Sequence, residues 1–229
     1  MDDQYFTPAL FTFLSELAVN NDRTWFKANQ QRFEAEVRQP ALDFITDYGD
    51  QRLPKLSPHL VADSRTVGGS LFRIQRDTRF SKDKTPYKLN TGLHFRHEQA
   101  ADAHAPGIYL HLEPGNCFMG AGLWMPTSKV AYAVRERIAA EPAAWRGAAW
   151  SKKLTEYYEF GGESLVRPPK GFDPDHPLMD DLKRKSFMVT SRLEQGDITA
   201  IDFMDRFHDR AMRTRPLLRF LCEAVGVPF

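Results

Sequence analysis

Cysteine is scarce in this chain of 229 residues, with only Cys117 and Cys222, far apart and among apolar neighbours. That excludes a disulfide framework and fits reduced thiols in a cytosol. No apolar run reaches the roughly eighteen residues that a membrane-spanning helix needs. The opening Met1-Asp2-Asp3-Gln4 is acidic rather than the basic lead-in of a secretory signal. The expectation is a cytoplasmic protein with no membrane partner. A formal net charge of +1 argues against a surface built wholly for nucleic acid. The phosphate-loop, dinucleotide-loop, zinc-protease, serine-elbow and Cys-x-x-Cys signatures are all missing, so no reaction is assigned and no cofactor is expected.

What is present suffices for a large core. With 42% hydrophobic residues, a chain of this length buries about three quarters of its unfolded surface. One domain over 1–229 is expected, helical over 7–53, strand-rich over 68–124, and helical and mixed over 127–226. Thr7 before Pro8 is a helix start, and Leu10, Phe13, Leu14 and Leu17 recur at helical spacing. Asp22 or Thr24 caps a second helix with Phe26, Phe33 and Val37 on one stripe, and Pro40 begins a third. Later, Thr199 caps a helix with Ile201, Met204, Phe207 and Ala211 inward.

From Gly68 the period falls to two, giving strands near 71–75, 93–96, 108–113 and 117–124, with a further strand near 186–193. A short turn over Glu113-Pro114-Gly115-Asn116 pairs Leu112 with Cys117, Leu110 with Met119 and Ile108 with Ala121. One face of that hairpin is then apolar, and a slip of one residue would scramble it. The order of elements predicts an α+β fold, a mostly antiparallel sheet of about four to six strands packed with N-terminal and C-terminal helices.

Charge is unevenly placed. Between Arg65 and Arg96 stand eight Lys or Arg against Asp77 and Asp83, a balance of +6 that leaves −5 for the rest of the chain. Within 73–88, Phe80, Pro86 and Tyr87 are expected to anchor the cations against the core. Arginine forks held in place offer paired donors to phosphate or carboxylate. The expected ligand-binding set is Arg73, Arg76, Arg79, Lys82, Lys84, Lys88 and Arg96, joined by Tyr109 and His111 from the sheet. Strand parity supports it: with Phe72, Ile74, Leu93 and Phe95 in the core, Arg73, His94, Arg96, Tyr109, His111 and Glu113 face the other way. Gly120 and Gly122 leave room on that face. The favoured partner is a small anionic ligand. Nucleic acid on the basic 65–96 segment is the second reading. The third is that Asp77 and Asp83 absorb the charge in an internal ion-pair network, or that the segment docks an acidic partner. His94, His97, His104 and His111 with Glu98 and Asp102 match no metal-ligand spacing, so no metal is expected. The sequence sets no oligomeric state.

Several of these segments carry a resemblance. Asn20-Asn21-Asp22-Arg23-Thr24-Trp25-Phe26, the whole run from Arg73 to Lys88, Tyr109-Leu110-His111-Leu112-Glu113-Pro114, Gly120-Ala121-Gly122-Leu123-Trp124 and Pro169-Lys170-Gly171-Phe172-Asp173-Pro174-Asp175-His176-Pro177-Leu178 resemble the bacterial family called domain of unknown function 2461. The resemblance runs from about Phe6 to Phe220. It implies a single domain in a cytosolic setting and carries no activity onto any residue.

Overall fold

Pro8 opens the first helix, where its missing N–H costs nothing, and α1 (Pro8–Val19) buries Leu10, Phe11, Phe13, Leu14 and Leu17. The Asp22 carboxylate caps α2 (Arg23–Ala28) by accepting the N–H groups of Thr24 and Trp25. The computed structural model describes residues 4–99 and 106–229. Next come α3 (Gln30–Phe33), a widened turn over Glu34–Arg38, and α4 (Gln39–Gln51) without a break. Pro40 stands in the first turn of α4, as expected, but that helix continues the one before it. Lacking an N–H, Pro40 cannot serve the Glu36 carbonyl, and the helix widens just before it so that Gln39 N–H reaches Glu34. A short α5 (Leu53–Leu56) follows.

The sheet has six strands: β1 (Leu60–Val61), β2 (Thr91–His97), β3 (Gly107–Leu112), β4 (Cys117–Leu123), β5 (Glu159–Phe160) and β6 (Phe187–Leu193). They lie in the order β1-β2-β3-β4-β6-β5, and every neighbouring pair is antiparallel. Helices α6 (Ser128–Ala140), α7 (Pro142–Ala149) and α8 (Lys152–Thr155) precede β5, and α9 (Met179–Leu182) precedes β6. The chain closes with α10 (Gln195–Ile198), α11 (Phe203–Arg213) and α12 (Arg215–Ala224). The fold is α+β. The β3–β4 register is the expected one, with Ile108 opposite Ala121 and Leu110 opposite Met119.

That register gives the sheet two unlike faces. Leu93, Phe95, Ile108, Leu110, Leu112, Met119 and Val189 are buried in one continuous apolar cluster. Phe95 packs against Tyr48 of α4 and Phe207 of α11, at 5.0 and 6.4 Å between ring centroids, so those helices cover this face. The other face carries His94, Tyr109, His111, Phe118, Gly120 and Thr190.

Two expectations fail here. The 71–75 stretch is not a strand: Leu71 bridges Leu93 and Gln75 bridges Tyr87, with a bend between. The chain leaves β2 to enter its own hairpin, the parity breaks, and Phe72 lies against Tyr109 on the second face instead of in the core. Ile201 is 60% exposed, because Thr199 ends α10 and the next helix starts only at Phe203. No helix among the described residues is long and apolar enough to cross a membrane.

Candidate ligand site

The 73–88 segment folds back on itself. Arg76 N–H donates to the Pro86 carbonyl and Lys88 N–H to that of Ile74, each near 2.9 Å. Its base is fixed by the family-like segment near the N-terminus. Asn21 holds Tyr87 by two hydrogen bonds, Nδ2 to the carbonyl (3.0 Å) and N–H to Oδ1 (3.1 Å). Phe26 stacks on the Tyr87 ring at 4.1 Å. Tyr87 is thus the anchor expected of it. Phe80 is not: it stands at the tip and is 96% exposed. The turn closed by Ser81 N–H on the Thr78 carbonyl points it away from the body of the protein, where no core lies beneath it.

Three of the segment's six cations, Arg76, Arg79 and Lys84, have partners within it. Arg79 grips Asp77 with both prongs, Nε to Oδ1 at 3.0 Å and Nη2 to Oδ2 at 2.7 Å. Arg76 pairs with Asp83 and also reaches the Thr85 hydroxyl. Hydrogen bonding from Arg79 and from Arg76 holds the carboxyls of Asp77 and Asp83 down at about 2. Lys84 donates to the Thr78 carbonyl at 2.8 Å. Lys82 and Arg73 are exposed. Arg96, on β2, donates to the Gly68 carbonyl at 3.2 Å. Lys88, intermediate in exposure like Arg76 and Arg96, is set apart by its surroundings. It is half-buried, its ammonium lies 5.6 Å from the centre of the Phe72 ring, and burial together with the charge of Arg73 lowers its pKa.

The second face of the sheet holds a cavity of about 460 Å³. Aromatic rings of Phe72, Tyr109, Phe118 and Trp124 wall it together with His94, His111 and Met188, and Gly120 and Gly122 form part of its floor. Tyr109 and His111, from the expected set, line this cavity; the seven expected cations do not. Strand parity already put Trp124 on this face, whereas sequence reasoning missed Phe72, Met188 and Thr190 as lining residues. The β4–β6 pairing of Gly122 with Met188 and of Gly120 with Thr190 brings the last two there.

One polar chain runs along β3 from the cavity wall, where Tyr109 and His111 stand, to Glu113 outside the lining. Tyr109 Oη lies 3.0 Å from His111 Nδ1, and His111 Nε2 lies 3.1 Å from Glu113 Oε2. Asn90 Nδ2 approaches His111 Nδ1 at 3.3 Å, and Asn116 Nδ2 donates to Glu113 at 2.7 Å. Residues 109, 111 and 113 share one side of the strand by the period of two. Burial, then the charge of Glu113, pushes the Tyr109 phenol up to about 12. Gly92 makes this geometry feasible: a Cβ built there would stand 2.5 Å from Tyr109 Oη. Gly122, at φ +125°, takes a backbone conformation that a side chain disfavours.

Among the described residues no group of three His, Cys, Asp or Glu could hold a metal. Asp102 and His104 lie outside the described residues.

With this geometry in place, comparison with known proteins adds one result. The family model described as "conserved hypothetical protein (DUF2461)" matches residues 9–220. The chain belongs to that family. No curated protein and no solved structure matches it. Segments that carry the family resemblance meet in two pairs: Asn21 and Phe26 hold Tyr87, and Gly120 lies opposite Tyr109 in the sheet.

Proposed function

We propose that this protein is a cytosolic binder of a small molecule with a planar apolar body and an anionic group. The body occupies the cavity on the second face of the sheet, and the anionic group meets Lys88 and Arg73. The observation that carries this reading is the cavity itself. Its volume of about 460 Å³ lies within the roughly 300–1,000 Å³ of ligand sites, and its walls combine flat rings with a few polar groups, as such sites do. Lys88 supports the charge assignment, because an anion beside it would offset both the burial and the neighbouring Arg73 that depress its pKa.

Saturation-transfer NMR and thermal shift, at fixed ionic strength, test this with 2-naphthoate, 2-naphthamide and inorganic phosphate. Naphthoate is expected to bind best and phosphate least. Lys88→Ala should remove the advantage of naphthoate over naphthamide. Gly120→Val should abolish both, since a side chain there makes ordinary contact with Met188 at 3.6 Å and fills the floor. Binding of phosphate alone, unaffected by Gly120→Val, would exclude the cavity.

One observation favours a second reading. Phe80 is exposed at a tip shared with Arg79, whose guanidinium lies 5.8 Å from its ring, and with the exposed Lys82 and Lys84. Exposed aromatics flanked by cations are how single-stranded nucleic acid is held. Fluorescence anisotropy with labelled oligothymidylate separates the two: a salt-steep signal lost in Phe80→Ala supports nucleic acid, and no signal at low salt removes it.

A further inference from the structure

We infer that the Tyr109–His111–Glu113 chain makes the sheet-face cavity a proton-transfer site, in which Tyr109 meets a substrate bearing an acidic C–H bond next to a carbonyl. This rests on the cavity being a ligand site and assigns it a substrate class.

The direction of the chain follows from donors and acceptors. An ionised Glu113 can only accept, so the proton on His111 lies on Nε2, 3.1 Å from Oε2. Nδ1 is then a lone pair and must accept, and the hydroxyl of Tyr109 at 3.0 Å donates to it. The amide of Asn90 points its Nδ2 at the same lone pair. Every member is also held from outside the chain. Phe118 stacks on the His111 ring at 4.6 Å and 14°, Asn116 fixes the carboxylate, and Gly92 leaves the space into which the Tyr109 ring lies. Two strands, the approach to β2 and the β3–β4 turn therefore supply parts that fit one tautomer.

The transfer balances without any oxidant or reductant. The substrate C–H bond breaks and its proton bonds to Tyr109 Oη, while the Tyr109 O–H bond breaks and its proton bonds to His111 Nδ1. The electron pair left on carbon moves to the carbonyl oxygen, giving an enolate. His111, now an imidazolium, is compensated by Glu113. Running the steps back onto carbon returns the ketone with a solvent-derived hydrogen, and onto oxygen gives the enol. Aryl-substituted 2-oxo acids combine the planar body and carboxylate of the proposed ligand with such a C–H bond. Tyr109 is the catalytic residue in this scheme; His111 and Glu113 act through it.

The test uses phenylpyruvate in D2O, with loss of its C3 proton signal followed by NMR and binding followed in parallel by saturation transfer. General acid–base catalysis of this kind contributes about a hundredfold or more, so the wild type should speed exchange by about that factor over buffer. Tyr109→Phe should return the rate to that of buffer while binding persists. Glu113→Gln should lose most of the rate and should also shift the His111 15N signals away from the Nε2–H tautomer, a change that a merely structural role would not couple to exchange. Binding with exchange at the buffer rate overturns the proton-transfer site and leaves the binding reading intact. Neither binding nor exchange overturns both. An Nδ1–H tautomer of His111 in the wild type overturns the proton-transfer chain by itself.

Discussion

Six cations crowd the 73–88 segment, whereas the adjoining face of the sheet presents few ionisable groups, chiefly His94, Tyr109 and His111. The crowded region lines no part of the cavity; the sparse one forms it. In the first, Arg76 and Arg79 face carboxylates of their own turn, so a third of its cations are paired locally and the exposed ones among the rest are hydrated. In the second, groups are few but enclosed, and burial changes their chemistry, as the phenol of Tyr109 at about 12 demonstrates. Density of charge thus does not by itself mark the enclosed cavity. A site needs polar groups removed from water and held in order.

The sharpest way to break this contrast is at the anchor of the segment. If apolar packing rather than ion pairing seats it, Tyr87→Ala should cost about 3 kcal/mol by urea denaturation, as aromatic truncations in a core do. A loss near zero would mean the charges alone hold the hairpin. Next in size is Gly92→Ala. Its Cβ would fall 2.5 Å from Tyr109 Oη, and overpacking of this sort costs about 1–3 kcal/mol. The His111 ring signals should shift with it. Gly120→Ala, whose Cβ meets Met188 at 3.6 Å, should stay within about 0.5 kcal/mol of wild type.

Asn21→Ala removes both hydrogen bonds to the Tyr87 backbone and should cost about 1–2 kcal/mol. Amide exchange at Tyr87 should rise far more than at Leu110. The smallest effect belongs to the ion pairs. The folded carboxyls of Asp77 and Asp83 lie at about 2, below the ordinary value of about 3.9. Their contribution is therefore fully present above about pH 4 and fades as the pH falls toward about 2. Following the amides of Arg79 and Thr85 through an acid titration should reveal this transition, and Asp83→Asn should erase it at Thr85 while leaving global stability at pH 7 little changed. A large global loss would show the segment to be an ionic keystone after all.

Local pattern carried the fold a long way. The alternation of Ile108, Leu110 and Leu112 against Cys117, Met119 and Ala121 implied both the pairing and the buried face, because period-two burial leaves one workable register. It also put Tyr109 and His111 on one side of β3. The same reasoning failed for Phe72, whose neighbours alternate as a strand would but whose backbone bends between two isolated bridges. Phe80 failed for a related reason: an aromatic residue in a charged run reads as an anchor, and nothing in its neighbours says that a turn carries it past the edge of the body.

The sequence by itself determined the α+β class, the antiparallel hairpin and its register, and the family. Each rests on residues close in the chain, where spacing and charge act directly. Only the tertiary structure decided that the second face of the sheet is a cavity, that Phe72 and Met188 wall it, and that Tyr109, His111 and Glu113 form one hydrogen-bonded chain beside Gly92. Those relations join residues that are distant in sequence, or set distances of a few ångströms, and they exist only once strands pair and side chains are driven into a common enclosed space.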